Sequence, residues 1–207
     1  MSVAEDDIPD SDIYLQDDWG DNKLTDREDS ATTTYNGVEG VYRPEWTIRD
    51  NEPTVDNEEL QMTGGDGIFA DINLNLDETI TWTWDVFVPD IGGGFGDSIR
   101  THLWAEQTEN DTNGRLFESY FVDIRNGERW ELAKIDSNGE NTVLVFGTSN
   151  TGESTVEVTR SPSGEYNFII DGTSQGTETD TDFTDPQVTA IIGNDGSEAD
   201  FREMKVN

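Results

Sequence analysis

Residues 79–88 read Thr-Ile-Thr-Trp-Thr-Trp-Asp-Val-Phe-Val, and their alternation decides the fold. Ile80, Trp82, Trp84, Val86 and Val88 share one parity, while Thr79, Thr81, Thr83 and Asp85 share the other. Successive side chains of a strand point to opposite faces, so the stretch predicts a strand with one buried face. Both tryptophans then belong to a core and are not platforms for a sugar.

Working outward, residues 116–147 read as a three-stranded meander, LFESYFVDIR, ERWELAKIDS and ENTVLVFG, punctuated by Asn126-Gly127 and Asn138-Gly139. Asn-Gly favours a two-residue hairpin turn with positive φ at both positions. Such turns set Asp123 opposite Trp130, Phe121 opposite Leu132 and Ser119 opposite Lys134, with Val143 and Val145 beside Lys134 and Leu132. The predicted core face is Phe117, Phe121, Leu132, Val143 and Val145. Its opposite, with Glu118, Tyr120, Val122, Arg129, Glu131 and Phe146, is predicted to be exposed. The run from Ile99 splits in the same way, with Arg100, His102, Trp104 and Glu106 on the face away from Ile99, Thr101, Leu103 and Ala105. Short alternating runs separated by Gly, Asn, Asp and Ser continue from about residue 12. No three-turn stretch has a helical period, which excludes nucleotide-binding βαβ folds.

Composition bounds the chemistry. The 207 residues hold 46 Asp and Glu against 12 Lys and Arg, for a formal net charge of -34. A nucleic-acid partner is excluded on that balance, because phosphate binding needs a basic face. There is no Cys, so disulfides, thiolate metal sites and cysteine catalysis are excluded, and one His leaves no histidine metal cluster. No apolar run of membrane-spanning length occurs, so membrane insertion is not expected. Six Trp, five Tyr and nine Phe supply large buried surfaces that a disordered acidic chain would lack. A small soluble domain needs a net charge of only about 2 to 8 in magnitude. Acidity spread from Asp6 to Glu203, with three Lys, points to a protein of haloarchaeal or haloarchaeal-virus type that folds in brine. Residues 1–11, MSVAEDDIPDS, form an acidic arm without periodicity, expected to be held by a neighbouring chain. Residues 12–207 form the folded domain.

The C-terminal third, with Val-Thr-Arg160, Asp171-Gly172, Gly176 and Ile191-Ile192-Gly193-Asn194, resembles laminin-G-like domains of the concanavalin A-like superfamily. The opening YLQDDWGDNKL resembles the first strand and Asp-rich turn of such domains. The resemblance implies an all-β jelly-roll sandwich of two antiparallel sheets with adjacent termini. It also implies a glycan-binding, glycan-cleaving or structural role. Several relatives hold one calcium ion where first and last strands meet. The corresponding residues here are Asp18 and Asp200.

Cleavage is not favoured. The Glu-x-Asp-x-Glu strand of the related family 16 glycoside hydrolases is absent, and Glu178-Thr-Asp180-Thr-Asp182 reads as a loop. Glycoside hydrolysis needs two carboxyls about 5 to 9.5 Å apart, and the register above keeps Glu118 and Glu131 about 13 Å apart. The glycan-binding candidates are Arg100, His102, Trp104, Glu106, Glu118, Tyr120, Arg129 and Glu131, which combine aromatic faces with Arg and carboxylate hydrogen bonding. A subunit interface or a solvated acidic face explains the same residues equally well. The chain opens Met-Ser-Val-Ala without a twin-Arg pair, an apolar signal core or a lipobox Cys. The expectation is therefore a surface module of a haloarchaeal virion, as a capsid decoration, turret or tail fibre, touching like or unlike structural chains or host glycans. The alternative is an extracellular or cell-surface carbohydrate-binding protein or glycoside hydrolase of a halophilic archaeon.

Overall fold

A computed structural model describes residues 14–26, 31–35, 38–89, 98–106, 116, 118–125, 129–148, 151–193 and 197–207. The acidic arm of residues 1–11, Phe117 and the Asn126-Gly127 turn lie outside the described residues.

The described chain is all strand and turn. One sheet contains β1 (Leu15–Asp17), β2 (Ala31–Tyr35), β3 (Val38–Tyr42), β5 (Thr54–Asp56), β6 (Glu59–Thr63), β8 (Ile80–Val88), β13 (Gly152–Arg160), β14 (Glu165–Ile170), β15 (Thr173–Thr179) and β17 (Glu198–Val206). The other contains β4 (Thr47–Asp50), β7 (Asp66–Asp71), β9 (Ser98–Ala105), β10 (Ser119–Arg125), β11 (Glu131–Ile135), β12 (Asn141–Phe146) and β16 (Val188–Gly193). The first runs β15-β14-β13-β8-β17-β1-β3-β2, with β6 also on β17 and β5 on β6; the second runs β12-β11-β10-β9-β16-β7-β4. Among the described strands, all pairs are antiparallel except β1 with β3. This is the jelly-roll sandwich that the resemblance implies, built from the strands that the alternation predicts, and its first and last strands pair, Leu15 opposite Val206.

Strand β8 is buried at every second residue from Ile80 to Val88, as expected. Trp82 and Trp84 enter a core shared with Trp19, Trp46, Trp104 and Trp130 between the two sheets. All six tryptophans are at most 1% exposed. Where β6 turns out of one sheet into β7 of the other, a side chain at Gly193 would lie 2.2 Å from the Thr63 carbonyl oxygen. No real Cβ tolerates that approach, so the Gly after Ile191-Ile192 is what allows the corner to close. Asp66 holds the corner from the other side, accepting the Thr63 amide at 2.6 Å and its hydroxyl at 2.9 Å.

Two hairpins show why the expected meander register shifts. The connection at Asn138-Gly139 is longer than two residues: Ile135 pairs with Asn141, and Asp136 closes the loop by accepting the Asn138 and Glu140 amides. Gly139 has a positive φ of 80°. The two-residue turn with both φ values positive is found instead at Asp171-Gly172, at 49° and 72°, between Ile170 and Thr173. On the other side of β11, Asp123 pairs with Glu131 and not with Trp130. A slip of one residue exchanges the faces of a strand.

Candidate functional site

That exchange moves the candidate glycan residues. Tyr120 and Val122 join Leu132 and Val145 in the central core, and Phe121 faces outward with Ala133 and Ile135. In β10, therefore, the residues predicted to be exposed, Tyr120 and Val122, are buried, whereas Leu132 and Val145 lie in the core and Arg129 and Phe146 are exposed as the alternation predicts. Trp104 follows for a second reason. Phe121 pairs with His102 and Tyr120 with Trp104, so Leu103 is an extra residue, a bulge in β9. A bulge resets the parity of everything beyond it. Trp104 consequently turns inward while Arg100 and His102 stay outward. Side chains satisfy the two carbonyls at the bulge: Thr189 donates to His102 O at 2.8 Å, and Trp82 Nε1 donates to Leu103 O at 3.1 Å.

His102 is fully buried and acts as a packing residue. Burial and the Arg100 charge push its pKa down to about 3, so it is neutral. The Ser119 hydroxyl donates to Leu116 O at 2.9 Å, so at 3.0 Å from His102 it accepts the Nδ1 proton. Its ring lies 5.3 Å from that of Phe121.

Tyr120 and Glu106 are spent on a strap, residues 180–185. Tyr120 sits among Trp104, Tyr166 and Phe183, with ring centroids 4.8 to 5.1 Å away. Its hydroxyl donates to Asp180 Oδ1 at 2.5 Å, and Lys134 bonds both Asp180 and Asp182. The Glu106 carboxylate accepts the Thr184 and Asp185 amides. The Asp-rich connection that resembles a hydrolase strand by composition is thus an anchor. Burial pushes the Asp180 carboxyl up, but Lys134, Tyr120 and the Asp182 amide outweigh it and hold the group below the usual aspartate value. A depressed folded pKa gives stability that is present above the unfolded value, near 3.9, and lost as pH falls through the folded one. Acid also relieves repulsion in so anionic a chain, so the difference between variants is the useful quantity. Asp180→Asn is expected to melt below wild type at neutral pH and to converge with it as the pH falls through the depressed folded pKa; thermal melts at stepped pH measure this.

Glu118 has a left-handed backbone, φ 51°, just before β10. Asp123 opposite Glu131 leaves Glu118 five positions away, about 16 Å along the strand. The two carboxylates are not brought together.

The remaining candidates are brought together. Strand pairing aligns Arg100, Asp123, Glu131 and Phe146 in one row across β9, β10, β11 and β12, on the outer face of the seven-stranded sheet. Arg125, which sequence reasoning did not include, bridges Asp123 at 3.0 Å and Glu131 at 3.2 Å. Arg100 lies 3.5 Å from the same Asp123 oxygen and 5.0 Å above the Phe121 ring. Arg129 lies 3.5 Å over the ring of Phe146. The row opens toward β12: the Asp123 side chain is 2% exposed, Glu131 15% and Phe146 48%. Two carboxylates, three guanidinia and an aromatic ring form a hydrogen-bonding surface beside an apolar one.

Asp18 and Asp200 do not converge. Asp17 pairs with Met204, which puts Asp200 three positions beyond the residue beside Asp18, about 10 Å. Asp18 is occupied by Arg43 at 2.7 and 3.1 Å, by the Tyr42 hydroxyl at 3.0 Å and by the Gly20 amide at 3.0 Å. Burial raises its pKa, and these partners outweigh that and lower it. Asp200 has the opposite environment: burial, then the charges of Glu59 and Glu198, push it up. Among the described residues no group of three or more His, Asp or Glu is placed to hold a metal ion.

No protein-family profile matches the chain, and no curated protein does. Solved structures do. The metal-free carbohydrate recognition domain of Emp46p aligns with a TM-score of 0.60 at 14% identity, over 78% of this chain and 87% of that one. Carbohydrate binding module CBM66 from Bacillus subtilis aligns at 0.54 and 14% identity, over 78% and 94%. The botulinum neurotoxin serotype D ligand binding domain in complex with N-acetylneuraminic acid aligns at 0.54 and 14% identity, over 86% of this chain and 46% of that one. At such identities the likeness is one of fold, the jelly-roll sandwich.

Proposed function

We propose that this chain is a carbohydrate-binding module that binds without turnover and works at an external surface in concentrated salt. The observation that carries the reading is the row Arg100–Asp123–Glu131–Phe146, flanked by Arg125 and Arg129, on the outer face of a sheet. Glycan sites combine such directional polar groups with an aromatic ring, which packs against the apolar side of a sugar. The fold neighbours include a carbohydrate recognition domain and a carbohydrate binding module, which supports this reading. Binding without hydrolysis is supported by the state of the two neighbouring carboxylates of the row: Asp123 is buried, and Asp123 and Glu131 are both tied up by Arg125. A charge of -34 supports brine as the working medium, and the place we propose there is a virus particle of a haloarchaeon. Retention of the purified chain on immobilised polysaccharides in about 1 M KCl is the test. Retention on at least one matrix is expected, and absence from all of them overturns the binding reading. Mass spectrometry of purified particles tests the location separately.

A further inference from the structure

From the arginines of the outer row we infer that the ligand is an anionic saccharide, docked through a carboxylate or sulfate on Arg129 and an apolar ring face on Phe146. The inference rests on the carbohydrate-binding reading above and adds the ligand class and the docking pair. With 46 carboxylates for 12 cations, every exposed cation has acidic groups to choose from. Several other cations take them: Arg43 pairs with Asp18, Arg202 with Glu59 and Glu153, Lys134 with Asp180 and Asp182, and Arg125 with Asp123 and Glu131. Arg129, like the exposed Lys23, has no carboxylate partner among the described residues; unlike Lys23, it lies on an aromatic ring, that of Phe146. Phe146 is the large apolar side chain left exposed among those residues, at 48%. An exposed ring covered by an uncompensated cation is an arrangement that solvation of an acidic surface does not call for.

The chemistry of the pair follows from its geometry. A guanidinium at stacking distance from a ring keeps its N–H donors in its own plane, directed away from that ring, in the fork that matches a carboxylate or a sulfate. The ring edge beside it offers apolar contact. In concentrated salt, charge interactions are screened over about 3 Å, so the overall charge of -34 does not repel an anion from a distance and contact groups decide whether it binds. Recognition in brine depends on such contact groups and not on the field of the whole protein.

The test uses four soluble polymers in about 1 M KCl: dextran sulfate and polygalacturonate as sulfate and carboxylate probes, dextran and methyl-esterified polygalacturonate as their neutral counterparts. Affinity electrophoresis or calorimetry is expected to show binding of at least one anionic polymer and not of its neutral counterpart. Arg129→Gln and Phe146→Ala are each expected to weaken that binding by about tenfold or more. Both side chains are exposed, and unchanged tryptophan emission verifies that the variants fold. Which anionic polymer binds separates sulfate from carboxylate. Neutral polymers bound as well as anionic ones, or anionic binding unaffected by both substitutions, overturns this inference and leaves the carbohydrate reading standing. Binding of none of the four overturns both.

Discussion

Dialysis from about 1 M KCl into about 0.01 M salt is expected to unfold this protein, as the Debye length grows from about 3 to about 30 Å. The register shows where the repulsion lies. On the ten-stranded sheet, Glu203 pairs with Asp85, and Asp85 with Thr155 of the next strand. Glu157 follows two residues along β13 on the same face. Cations are too few to neutralise this surface: Arg202 alone bridges Glu59 at 2.8 Å and Glu153 at 2.7 Å, from two different strands. The raised pKa of Asp200, caused by burial and then by Glu59 and Glu198, is the local sign of like charges held close. Stability of a domain is a difference of about 5–15 kcal/mol, so many small repulsions released together are enough to cancel it. The measurement is sensitive, because all six tryptophans lie in the core and shift to a solvent-exposed emission on unfolding. Lowering the pH to about 4 in dilute buffer is expected to restore part of the fold by protonating carboxylates. An emission spectrum unchanged in dilute buffer would remove the brine reading and with it the salt condition of the function proposed here.

What the sequence showed and what it hid have separate physical origins. Strict alternation in residues 79–88 required no knowledge of any partner strand, and β8 is buried where that pattern says. Register is different, because it depends on how a turn closes. Asn138-Gly139 has the composition of a two-residue turn, yet Asp136 captures two amides and builds a longer loop. The extra residue at Leu103 left no mark in the composition of β9, since Leu103 and Trp104 are both apolar and both buried. The bulge turned Trp104 inward and left Arg100 and His102 on the outer face, while Tyr120 turned inward because Asp123 pairs with Glu131 and not with Trp130. The chemistry of the outer row was legible as residue types, in Arg100, Arg129 and Glu131. Arg125 was missed because nothing along the chain shows that it reaches across to Glu131. Asp123 carries the same lesson: its burial between two arginines exists only after the strands pair.

Trp104→Ala is expected to separate packing from recognition most sharply. If Trp104 and Tyr120 formed a sugar platform, their removal would abolish binding and spare the fold. The structure dictates the reverse. Both are 0% exposed, with ring centroids 5.0 Å apart, and Tyr120 lies 4.8 Å from Tyr166 and 5.1 Å from Phe183. Removing a buried aromatic ring to Ala costs about 3–5 kcal/mol, because the lost transfer energy is joined by a cavity that rigid strands cannot close. For a domain of this length about 1 kcal/mol lowers Tm by about 2–4 °C, so a fall of about 6–20 °C is expected for Trp104→Ala. Tyr120→Ala adds the loss of the Asp180 anchor and of the contact under Phe183, and a fall at least as large is expected. Tyr120→Phe keeps the ring and removes only the hydroxyl, leaving Asp180 to Lys134. It is expected to fall short of the alanine variant by most of the packing contribution. The decisive comparison is made in brine, below the melting range, where enough of each variant remains folded to measure binding. There Trp104→Ala should retain wild-type affinity per folded molecule, while Arg129→Gln should retain the wild-type Tm and lose affinity. A Trp104→Ala protein that melts like wild type but no longer binds would return recognition to the face that the strand register assigns to the core.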